Sequence, residues 1–115
     1  MESSHKKWKV TVRLYSGRQN PEWVLTEKQA DYLQKQWDQA IFVNTVLLPP
    51  SPLGYTGCRV QKDDHTFWVL YNGIISLHEK EKEYFKKDPN KTLELFLLHT
   101  GPEEVKALLH KINIF

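Results

Sequence analysis

A single cysteine, Cys58, excludes any intramolecular disulfide, and with it the stapled scaffolds that hold small secreted domains together. Long apolar runs are also missing. Runs such as Ile41–Val43, Val46–Leu48 and Leu95–Leu98 fall far short of the roughly twenty residues a membrane-spanning helix requires. No apolar stretch occupies Met1 to Lys9, so neither a retained signal peptide nor membrane insertion is expected; a leader already removed leaves no trace. These absences point to a reducing, intracellular and cytoplasmic setting, with a processed secreted form left open. Charge of one sign is scarce too. The 16 Lys and Arg stand against 14 Asp and Glu, giving a formal +2. Residues 1–50 carry seven basic and five acidic groups and 51–115 nine of each, too even a balance to argue for nucleic acid by itself. Neither an internal repeat nor a low-complexity tract is present.

What the chain does have is enough apolar material to fold. Hydrophobic residues make up 40% of it and aromatics 12%, which sets it apart from the polar, highly charged composition of disordered chains. At 115 residues it can bury one continuous core, so a single domain over 1–115 is expected. Residues 8–15 alternate, with Trp8, Val10, Val12 and Leu14 on one side, as in a strand with one buried face. Ser16 to Pro21 breaks the pattern and reads as a shaped loop. Thr26 and Gln29 have capping-box spacing, and Ala30, Leu33, Trp37, Ala40 and Ile41 follow at helical intervals, predicting a helix over 27–42.

Pro49, Pro50 and Pro52 punctuate 44–54, which reads as a long surface connection within the domain. Two hairpin signals follow, Asp63-Asp64 and Asn72-Gly73, predicting a three-stranded meander from Tyr55–Lys62, His65–Tyr71 and Ile74–His78. Glu79 to Lys87 reads as a solvated charge run. Asp88-Pro89 has the chemistry to cap a short helix bearing Leu93, Phe96 and Leu97, although a short apolar run such as Leu93–Leu98 does not define its own period. A last helix over 102–112 is marked by Thr100 and Glu103 at capping-box spacing and by Val105, Leu108, Leu109 and Ile112 on one face. The fold class expected is α+β: a small two-layer domain whose mixed or antiparallel sheet, with its meander in the C-terminal half, is packed by helices.

Chemistry-bearing patterns are sparse. Simple pairing around Asp63-Asp64 sets Cys58 opposite Val69 and His65 opposite Lys62, too far apart for a thiol–imidazole dyad, and Cys58 falls on an apolar face with Val60, Phe67 and Val69. His65, His78, His99 and His110 form no compact ligand motif, so no metal is expected, and the lack of a cofactor glycine loop implies no cofactor. Glu79/Glu83 and Glu103/Glu104 are explained by a solvated surface and a helix start. No catalytic residue is assigned, and a non-enzyme is the first reading.

Two binding surfaces are expected instead. Arg18, Asn20 and Trp23 of the first loop, with Tyr55 after the proline connection, would form one recognition rim, aromatics supplying area and Arg directed hydrogen bonds. Pairing across Asp63-Asp64 puts Arg59 opposite Trp68, and pairing across Asn72-Gly73 puts Trp68 opposite Leu77 and Leu70 opposite Ile75, a mixed face suited to a partner. The function expected is a non-enzymatic binding or protein-interaction module. The alternatives are a weakly basic nucleic-acid-binding domain using Tyr55, Arg59 and Trp68 and, behind it, a small hydrolase or transferase.

Overall fold

The structure, a computed structural model, describes residues 7–14, 20–43 and 55–115. Six strands, β1 (Lys9–Leu14), β2 (Glu22–Val24), β3 (Tyr55–Asp63), β4 (Thr66–Tyr71), β5 (Ile74–Glu79) and β6 (Lys82–Lys87), form one antiparallel sheet in the order β2-β1-β3-β4-β5-β6. Helices α1 (Glu27–Gln39), α2 (Thr92–His99) and α3 (Glu103–Lys111) complete a two-layer α+β domain. Buried residues of all three helices join Trp8, Val10, Val12, Cys58, Val60, Trp68, Leu70, Ile75 and Leu77 of the chain's sheet half in one core. No helix among the described residues is long and apolar enough to cross a membrane.

Local chemistry explains most element boundaries. Thr26 accepts from the Gln29 amide at 3.2 Å while the Gln29 side chain accepts from the Thr26 amide at 2.9 Å, satisfying two N-terminal donors of α1. Asp88 splits its carboxylate between the Leu93 and Glu94 amides at 2.8 and 2.9 Å and so anchors the start of α2. This settles the period of the Leu93–Leu98 run as helical. At α3 the expected box is not made: Pro102 is the N-cap, and the Thr100 hydroxyl donates to Leu97 O while accepting from the Trp23 indole.

Two departures matter for function. The charge run is a strand, so the meander has four strands. β6 lies on the far edge of the sheet, where charged side chains are tolerated, and Tyr84 and Lys86 turn to the core side as Phe85 and Lys87 turn away. The first hairpin also turns at Asp64–His65 rather than Asp63-Asp64, with Asp63 paired to Thr66, and the register shifts between Gln61 and Asp63. Asp63 Oδ1 accepts from the His65 amide at 2.9 Å and stabilises this turn. The extra residue moves Arg59 opposite Val69 and Val60 opposite Trp68. A shift of one residue exchanges faces. Trp68 therefore joins Cys58 and Val60 in the core, and Phe67 and Val69 change to the other side.

Candidate functional site: the open face of the sheet

All three helices pack against the same side of the sheet. Across the centre of the opposite side lie Arg59 and Gln61 of β3, Phe67 and Val69 of β4, Ile74, Ser76 and His78 of β5, and Phe85 of β6, in consecutive registers. Lys9, Thr11 and Arg13 of β1 continue it toward β2. Antiparallel sheets commonly leave one face to water, and that face is then polar. Here its centre is apolar: Phe67, Val69, Ile74 and Phe85 are half-buried, with no described helix over them.

A chain of contacts orders this face from β3 to β6. Gln61 donates its amide nitrogen to the carbonyl of Asp63, at the register shift, and its oxygen accepts from Arg59 Nε at 3.1 Å and Nη2 at 2.6 Å. The Arg59 guanidinium lies 3.9 Å from the Phe67 ring centroid, and Phe67 is stacked on His78 with centroids 4.5 Å apart and planes 9° from parallel. His78 meets Ser76 Oγ through Nε2 at 3.1 Å and Glu83 Oε2 through Nδ1 at 3.4 Å. Burial lowers the His78 pKa below the ordinary imidazole value; the charges of Arg59 and Arg13 add to the shift and Glu83 opposes it. The net effect favours the neutral form of the ring.

The residues singled out from sequence meet different fates. Arg18 lies outside the described residues. Asn20 is spent internally, its Oδ1 accepting from the Leu14 amide at 3.0 Å, close to where Leu14 pairs with Tyr55. Trp23 is half-buried, its indole bonded to Thr100 Oγ1 at 2.8 Å and its ring against Gly101. Tyr55 is 4% exposed and its hydroxyl donates to Glu94, so it presents no ring to a partner. Trp68 is 1% exposed and packs on Trp8 at 5.1 Å, so the surface expected around Arg59 and Trp68 is corrected: Arg59 stays on the open face, and Phe67 takes the place assigned to Trp68.

Two constellations were missed by sequence reasoning. Ser76, His78 and Glu83 have the connectivity of a nucleophile, base and orienting carboxylate. Ser76 is 8% exposed, however, and it sits in mid-strand, where the neighbouring amides serve the sheet ladder instead of a developing oxyanion. The array is best read as what holds the His78 ring upright. Glu94, buried beneath α2, accepts from Tyr55 OH and, at 3.1 Å, from the Asn72 amide; burial raises its pKa and that of Asp88. It ties the second hairpin and the start of β3 to the helix layer. Burial likewise pushes the Cys58 thiol up, away from the reactive thiolate.

A second apolar surface lies at the end of α1, where Ile41 and Phe42 are 71% and 63% exposed beside a cleft of about 390 Å³ lined by Tyr32, Gln36 and Leu93. Among the described residues no three metal-ligating side chains gather. No family model matches this chain, and no curated protein or solved structure is significantly similar to it.

Proposed function

We propose that the protein is a non-enzymatic interaction module that binds a protein partner through the open face of its sheet. The observation that carries this reading is the apolar centre of Phe67, Val69, Ile74 and Phe85 on the face opposite every described helix, with Arg59 and Arg13 at its edge. An apolar patch with a polar rim is the usual anatomy of a protein interface. Nucleic acid is less well supported. A base needs a free ring face to stack on, and those of Phe67 are taken by Arg59 and His78. The face also carries few basic groups, of which Lys9 is paired with Glu22 at 3.6 Å. A cytoplasmic setting accords with the lone buried thiol of Cys58.

The experiment is affinity capture with the wild type, Val69→Lys, Phe85→Ser and, as a control at the other apolar surface, Ile41→Ser, each first shown to be folded. A partner retained by wild type and Ile41→Ser but lost by Val69→Lys and Phe85→Ser is expected. Partners indifferent to both open-face substitutions would reject the reading.

A further inference from the structure

We infer that Arg59, with Arg13 beside it, is a pre-organised recognition site for a carboxylate on the partner. The inference rests on the open face being the binding surface and names the chemistry that face selects. Arg59 uses two of the five guanidinium N–H donors on Gln61, leaving three without a partner among the described residues. Its plane is held from one side by Phe67, which is backed by His78, and its inner edge by Gln61, itself tethered to the Asp63 carbonyl. A flexible surface arginine loses rotamer freedom when it pairs; one already braced at its edge and its face loses less. The bracing groups also leave its charge unspent. Gln61 is neutral, Glu83 is engaged with His78, and neither Arg59 nor Arg13 has a carboxylate within ion-pair distance among the described residues.

Arg59 is paired with Thr11, two residues before Arg13, where the register of β1 on β3 shifts, and the charges of both arginines act on His78. Two like charges thus lie near one ring at the edge of an apolar centre. Such a pair is unfavourable until an anion joins it, and the charge complement is a carboxylate neighbouring an apolar anchor. The charged groups acting on His78 are Glu83, Arg59 and Arg13. An anion seated on the arginines offsets two of them and makes protonation of His78 easier, so binding and proton uptake at that ring support each other.

The test uses acetylated, amidated Glu-Glu-Leu-Glu-Glu as probe, titrated into the whole protein while the Arg59 Nε–H and His78 ring resonances are followed by NMR. Saturable shifts at both are expected, absent with Gln-Gln-Leu-Gln-Gln. Gln61→Glu should weaken binding about tenfold or more, because it supplies Arg59 with an internal carboxylate. That variant should remain folded, which separates lost recognition from lost structure. Arg59→Lys, a point charge without the fork, should also bind less tightly. Equal shifts with the glutamine peptide, an unaffected Gln61→Glu, or a stronger response to the phosphoserine analogue or to oligothymidylate would overturn the assignment. Because the probe needs no natural partner, this inference can fail while the capture experiment still succeeds, and the reverse.

Discussion

Replacing Lys86 by Met probes how a charged side chain comes to be buried in an edge strand. Lys86 is on the core side of β6, its Nζ donating to Trp37 O at 2.7 Å and lying 4.3 Å and 4.6 Å from the centroids of the Trp37 and Phe42 rings. The last turn of α1 has no basic residue of its own, so this ammonium supplies both a donor to a C-terminal carbonyl and a charge that complements the helix dipole. A hydrogen bond from a charged group contributes about 1.5–3 kcal/mol, and each cation–π contact about 0.5–2. Against this stands the desolvation of the ammonium, which is several kcal/mol before pairing. Lys86→Met keeps the aliphatic stem and removes the charge, so a net loss of about 1–3 kcal/mol follows. At an unfolding entropy of about 2.1 cal/mol/K per residue, that lowers Tm by about 4–12 °C for a chain of this size. Urea unfolding followed by tryptophan fluorescence gives the free energy, and a calorimetric scan gives Tm. A Met variant within about 0.5 kcal/mol of wild type, or more stable, would show that burial cost cancels the contacts and would refute the capping role.

Trp68→Ala should cost about 3–5 kcal/mol by emptying a core site, whereas Trp68→Phe should cost far less, because the indole N–H is buried without a hydrogen-bond partner among the described residues; equal losses in chemical denaturation would contradict this. Glu94 has a folded pKa raised above its ordinary 4.5, so its contribution to stability is complete below that value and is lost as pH rises through the folded pKa. Glu94→Gln should therefore gain stability relative to wild type as pH rises from 4.5 through the folded pKa, and a difference that stays constant over that rise would exclude the raised pKa. His78 has the opposite sign: its lowered pKa contributes stability above the ordinary imidazole value of 6.5 that is lost as pH falls through the folded pKa, and His78→Gln should remove that loss in the same urea series.

The parts of the fold legible from sequence are those set by short-range chemistry. The alternation from Trp8 to Leu14, the Thr26–Gln29 box, the Asn72-Gly73 turn with Leu70 opposite Ile75, and the Asp88 cap each depend on residues a few positions apart. β6 was hidden because its charged residues resemble a solvated run, and only the bridge from Phe42 and the contact with Trp37 explain why Lys86 is acceptable inside. The candidate site was hidden by a single residue: the register shift before Asp63 decides whether Phe67 or Trp68 faces the core, and nothing in the Asp63-Asp64-His65 stretch distinguishes the two turns by composition alone. Arg59, expected beside Trp68, lies on the open face beside Phe67 instead. The Phe67–His78–Glu83 chain spans three strands and becomes visible only once their pairing is known.

The open face as a partner surface is tested most directly by methyl NMR of the protein bound to a partner that the wild type captures, comparing Val69 and Ile74 with Ile41. The Val69 and Ile74 methyl resonances are expected to shift and lose solvent contact on binding, with Ile41 unchanged. Shifts confined to Ile41 and its neighbours, with Val69 and Ile74 silent, would place recognition at the cleft beside α1 and contradict it.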